Sequence, residues 1–270
     1  MPEVGFADPV QLPGVRVGCQ GLDLGKGQHG HGGSSGGAIG DQLTCNIVEL
    51  SNQERNRRVV QVRPISPERL IDLLAERIDT HPAGTDGRRL RIAIDGAPAA
   101  RPGELADSLV EPLRLRGRPV LRVSAGDFLR PASLRLEYGR HDPDAYHDLW
   151  LDDGALLREV LDPLEPGGSA RVLPSLRDAA TDRSTRAPYT ELPPGGVLLL
   201  DGALLIGRWL PFELTVHLAL TPAALARRTL PQERWTLPAF ARYEAETGPS
   251  ELADLTVRAD DPRHPALVLP

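Results

Sequence analysis

Residues 92–109, IAIDGAPAARPGELADSL, join an apolar run to a helix-forming run through a turn rich in glycine, proline and arginine. Strand, tight turn and helix in this order can bind phosphate, because backbone N–H groups and the helix N-terminus face the anion. The working form is G-x-x-x-x-G-K-[ST]: glycines let the chain close round the phosphates, lysine neutralises the β/γ oxygens and the hydroxyl holds Mg2+. Gly96 fills the first position, but the next three fixed positions are Arg101, Pro102 and Gly103. The second glycine, the lysine and the hydroxyl are missing. Phosphoryl transfer rests on positioning and charge stabilisation, and losing one such donor costs ~10²–10³ in rate. Several losses together predict near-abolition of ATP-dependent transfer. Arg101 is a cation beside the vacant lysine position, although its planar fork meets phosphate differently from an ammonium. Pro102 removes an N–H from the helix end while suiting its first turn.

The chain that must hold these residues has 270 residues, 40% hydrophobic and 25% charged, enough for one buried core plus extensions. A formal charge of −6 argues against a nucleic-acid or membrane-surface binder and points to small-molecule partners. No apolar run approaches the ~18 residues of a membrane span, so a cytoplasmic protein is expected. Cys19 and Cys45 support neither a disulfide framework nor a cysteine zinc site. Residues 1–61 contain GKGQHGHGGSSGGAIG and little periodic apolar pattern, which predicts a disordered Gly-rich extension before a domain over 62–270. Within it, GLDLGKG is one residue short of a phosphate loop and follows no strand.

Order is expected to start at SPERLIDLLAERI, where Ser66 can cap, Pro67 suits the first helical position and the apolar residues share one face. Short apolar runs at 90–95, 119–124, 197–202, 214–220 and 254–259 read as buried strands separated by helix-like stretches. That alternation predicts an α/β three-layer fold, a parallel central sheet covered by helices on both faces. Pro112 should kink or shorten the helix after the first of these strands, and Gly117 should end it.

From about Arg88 to Pro265 the chain resembles the uridine kinase family of P-loop nucleoside kinases, particularly its shorter actinobacterial-type members. The supporting stretches, in order, are IAIDGAPAA, VSAGDFLRP, LRLEYGR, DPDAYHDLWLDDGALLREVLDPLEPGG, VLLLDGALLI, PFELTVHLAL, LARR and ADLTVRADDPRHP. The resemblance implies a P-loop NTPase-like fold, a nucleoside substrate, and ATP and Mg2+ as cofactors. It places Gly96, Arg101, Gly103, Arg227 and Arg228 round the nucleotide. Asp201 falls near the metal's water shell, and Asp152 at the sugar hydroxyls. Arg177 and Asp178 fall in the base-pocket segment, with Arg177 replacing the stacking aromatic. The family's catalytic aspartate corresponds to Gly126; the adjacent Asp127 is the candidate base, with a turn-capping carboxylate as the alternative. For Asp152 the alternative is a helix N-cap. After Arg227 and Arg228 the family's lid is shortened to LPQERWTLP.

Three readings follow. The chain is a degenerate family member that binds a nucleoside or nucleotide with weak or no phosphotransfer. Alternatively, it is an active kinase using Arg101 or Arg228 for phosphate charge, Asp127 as base and Asp201 for the metal. The third is a scaffold whose old pocket is filled by its own side chains. A metal site from His141, Asp142, Asp144, His147 and Asp148 is set against a solvated loop. His217, inside an apolar strand, is expected to hydrogen-bond at the sheet face.

Overall fold

The computed structural model describes residues 61–269, so the extension predicted for 1–61 lies, but for Gln61, outside the described residues. The strands are β1 (Gln61–Pro64), β2 (Leu90–Asp95), β3 (Val120–Ser124), the two-residue strands β4 (Arg171–Val172), β5 (Arg177–Asp178), β6 (Arg183–Ser184) and β7 (Thr190–Glu191), then β8 (Val197–Gly202), β9 (Leu214–Ala219), β10 (Leu255–Arg258) and β11 (Ala266–Leu269). The principal helices are α1 (Pro67–Asp79), α2 (Pro102–Leu115), α3 (Pro143–Leu149), α4 (Pro222–Arg228) and α5 (Leu237–Glu246).

The main sheet runs β1-β11-β10-β9-β2-β8-β3. From β10 to β3 every pairing is parallel, whereas β11 and β1 add antiparallel strands at one edge. The sheet is thus mostly parallel, and among the described residues a strand precedes the first helix. The antiparallel pair escaped sequence reading because QVRP is short and exposed, with no apolar alternation. Helix α1 matches expectation: Ser66 Oγ accepts from Arg69 N at 3.2 Å, and Leu70, Leu74, Ala75 and Ile78 are buried.

Period-two alternation sends Ile92, Ile94, Leu199 and Val216 into one layer with α1 and α2. Ala93, Leu198, Leu200 and Val123 face a second layer built on Phe128, Leu156, Val160 and Leu161. Helix α2 continues past Pro112 to Leu115, and Gly117 follows at φ 80°. Pro112 stands in the last turn and does not break the helix there.

The C-terminal ends of β2 and β9 meet at a buried polar network. Asp95 Oδ2 lies 2.7 Å from His217 Nδ1 on the adjacent strand and 3.1 Å from the Tyr243 hydroxyl of α5. Asp95 Oδ1 accepts from Leu205 N at 2.9 Å, and Ile206 N donates to the Tyr243 hydroxyl at 3.0 Å. His217 therefore has the sheet-end hydrogen bond expected of it. A buried carboxylate satisfied from three elements fixes the strand ends, the segment after β8 and α5 together. Tyr243→Phe leaves a buried N–H and a carboxylate each one partner short. It is expected to lower unfolding free energy by about 2 kcal/mol in urea titration. An unchanged midpoint would mean that the network does not hold the rim.

Candidate functional site

Gly96 is a glycine for lack of room: a Cβ there would stand 3.0 Å from Leu218 Cβ and 3.2 Å from Leu218 O. The chain then passes through a short turn, Pro98–Ala100, and Arg101 takes the left-handed conformation, φ 62°, ψ 53°, as N-cap of α2. The loop keeps a left-handed residue at the second-glycine position but fills it with arginine. The amides, however, turn inward. Ala100 N donates to Ala97 O at 2.7 Å, Arg101 N to Pro98 O at 3.0 Å and Gly96 N to Gly202 O at 3.0 Å. Pro98 and Pro102 have no N–H to offer. Among the described residues, the loop amides without a bond to a backbone carbonyl are those of Ala97, Ala99 and Gly103.

Strands β3 and β8 lie side by side with Ser124 opposite Asp201. Ser124 Oγ donates to Asp201 Oδ2 at 3.4 Å. Two residues earlier on the same face of β3, Arg122 reaches under the loop. Its Nη2 is 3.1 Å from Asp201 Oδ1 and its Nε 2.9 Å from Asp107 Oδ1 on α2. Alignment is poor, and Arg122 Nε and Asp201 Oδ1 make no hydrogen bond. Burial pushes the Asp201 carboxyl above its ordinary range, and Arg122 partly opposes that. A Cβ on Gly103 would stand 2.7 Å from Arg122 Nη2 and 3.2 Å from Asp201 Oδ2. The Mg2+ implied by the resemblance does not fit this arrangement: position 103 supplies no hydroxyl, and the Arg122 guanidinium already lies against Asp201 Oδ1 as its counter-charge.

Above these residues opens a cavity of about 550 Å³ lined by Gly96, Arg101, Gly103, Ser124, Gly126 and Asp201, with Leu129, Tyr146, Trp150 and Arg208 forming its far wall. Tyr146 and Trp150 stand four apart across the end of α3, on one face, with ring centroids 5.0 Å apart. Trp150 is fixed by its Nε1 donating to Arg135 O at 3.0 Å and by the Arg135 guanidinium 5.1 Å from its ring. Burial raises the Tyr146 phenol to about 12, so it stays neutral. Arg208 is paired with Asp153 at 3.0 Å. The short lid folds onto this wall, with Trp235 5.5 Å from Tyr146, 5.4 Å from Trp150 and 5.4 Å from His141.

A second cavity, about 400 Å³, is lined by Arg101, Arg228, Glu233 and Phe240 among others. Arg228, at the end of α4, donates from Nη1 to Ala259 O at 2.5 Å. Its guanidinium is held below its usual range, first by burial and then by the neighbouring charges of Arg101 and Arg227.

The remaining predicted residues lie off these walls. Asp127 is half-buried, and burial raises its carboxyl, opposed by a hydrogen bond from Ser175 and the charge of Arg122. Asp152 Oδ1 accepts from Ala155 N at 2.9 Å as a helix cap. Arg177 Nη1 donates to Asp182 O at 2.9 Å, and Asp178 accepts from Ala180 N at 2.8 Å in an exposed turn. No group of three or more His, Cys, Asp or Glu able to hold a metal occurs among the described residues; Asp144 and Asp148 instead pair with Arg242. Sequence reasoning missed Arg122, Arg208, Tyr146 and Trp150. The i, i+4 aromatic pair in AYHDLW and the arginine inside VLRVS were the available signals.

Neither a protein-family model nor a curated protein matches the sequence. Among solved structures, a Bacillus stearothermophilus protein described as a possible uridine kinase is similar at 22% identity and TM-score 0.55, covering 69% of this chain and 96% of that one. A Silicibacter sp. TM1040 protein described provisionally as a fructose transport system kinase has 22% identity and TM-score 0.49, covering 69% and 98%. The first likeness shows a shared kinase-like α/β fold.

Arginine in the left-handed region carries a strain of about 1 kcal/mol that glycine does not. Arg101→Gly is therefore expected to raise stability by up to about 1 kcal/mol in urea titration, and Arg101→Ala, which keeps Cβ, to give no such gain. Equal effects of the two variants would show that the backbone here is unstrained.

Proposed function

We propose that this chain binds a nucleoside or nucleotide on a uridine-kinase-like fold and carries out ATP-dependent phosphotransfer weakly or not at all. The observation that supports this reading is the pairing of an aromatic-walled cavity with a loop in which the Ala100 and Arg101 amides are taken by loop carbonyls and two prolines offer none. The likeness to a protein described as a possible uridine kinase points to a nucleoside as the ligand class. Tyr146 and Trp150 offer flat faces to a base, and Ser124, Asp201 and Arg208 bring polar groups to the cavity's sides. Gly126 lines the cavity where the resemblance places a catalytic carboxylate, so a bound hydroxyl meets no base at that position. The partner is then a small molecule, and the cytoplasm is the expected location.

A specific observation favours a second reading. Arg101 and Arg228 line the second cavity together with Glu233, Arg101 and Arg227 put like charge on Arg228, and an anion there would relieve the repulsion. An active kinase would use Arg101 and Arg228 to hold phosphate, with Asp127 taking the hydroxyl proton.

Calorimetry with uridine, cytidine, ATP and GTP, each with and without Mg2+, separates the readings. The first expects a nucleoside to bind and no turnover near the kinase range of ~1–100 s⁻¹. Turnover in that range, abolished by Asp127→Asn, would establish the second. No binding of any of the four would refute both.

A further inference from the structure

The strongest departure from a phosphotransfer site is a residue the loop motif does not include. Arg122 enters from β3, and three groups converge on its guanidinium. These are the Asp201 carboxylate at the end of β8, the Asp107 carboxylate on α2, and the empty side of Gly103. Arg122 Nη2 lies 2.7 Å from the point where any side chain at 103 would begin, so the guanidinium tip takes up the space of a residue-103 side chain and would have to shift to admit one. The carboxylate at 201 is 7% exposed, and it is its buried oxygen, Oδ1, that the guanidinium faces, while Oδ2 lies on the Ser124 and Gly103 side.

We infer that Arg122 is the resident cation of this site and occupies the place of a divalent ion. This deepens the reading of a cavity that has lost phosphotransfer, and rests on it. A buried carboxylate with no counter-charge is costly, and a guanidinium 3.1 Å away supplies that charge permanently. Mg2+ would have to displace an arginine held by two carboxylates while gaining neither a hydroxyl ligand nor the open octahedral space it requires. Asp107 has the part of an anchor, holding the arginine from the helix side so that it does not swing into solvent.

The inference also concerns repair of the loop. Restoring lysine and serine at 102 and 103 displaces the guanidinium tip but leaves Arg122 beside Asp201 as its counter-charge, so loop substitutions alone are not expected to restore a metal site. Gly126 differs: a Cβ there meets only Ser124 Oγ, at 3.5 Å, and a carboxylate can be added.

The test uses Mn2+ as a probe of the full chain, read by electron paramagnetic resonance without nucleotide. The wild-type chain is expected to show no one-to-one binding. Arg122→Ala and the bulkier Arg122→Met are expected to bind one Mn2+ at least tenfold more tightly than wild type. Asp201→Asn added to either should remove the gain. Circular dichroism identifies any variant that does not fold, and the other then decides. One-to-one binding by wild type that Asp201→Asn abolishes would overturn the inference. Absence of any gain in a folded Arg122 variant would do the same. Neither result depends on whether uridine binds, so failure of the nucleoside reading stays distinguishable from failure of this one.

Discussion

One guanidinium between two carboxylates governs what the rest of this site can do. Arg122 draws together β3, β8 and α2 at the point where the sheet rim meets the helix N-terminus. Removing the arginine leaves the buried Asp201 without its counter-charge, which is costlier than losing the pair to Asp107, an exposed carboxylate. The absent side chain at Gly103 belongs to the same arrangement, since the guanidinium tip takes up the space where a Cβ would stand.

The second fixed point is the Asp95 network, which ties α5 and the segment after β8 to the strand ends. Helix α5 carries on from the shortened lid, whose Trp235 already rests on Tyr146 and Trp150. The lid is thus held on the cavity wall by the aromatic contacts of Trp235. A ligand entering from the β3 side meets preset rings on one wall and fixed carboxylate and guanidinium groups on the other.

The fold was legible because it rests on apolar runs of strand length, and the five parallel strands fall within a residue or two of where the sequence places them. β1 and β11 were not legible, since their pairing joins residues about 200 apart and QVRP has no buried face. The loop's lost chemistry was legible at Arg101, Pro102 and Gly103, because each position has a fixed role. Its inward-turned amides were not, for they depend on backbone conformation round Pro98. Asp152 shows the limit of spacing: an aspartate before a helix reads equally as ligand or cap, and its oxygen caps Ala155 N. Arg122 stayed hidden because its meaning lies in distance to Asp107 and Asp201, residues on other elements.

A double-mutant cycle between Arg122→Met and Asp201→Asn, measured by urea unfolding, reads the central pairing directly. If the arginine is the buried carboxylate's counter-charge, either change alone destabilises the chain, and the pair together costs less than the sum, with a coupling of about 1–3 kcal/mol. Additive effects would contradict the account, since Arg122 and Asp201 would then be neighbours without being partners.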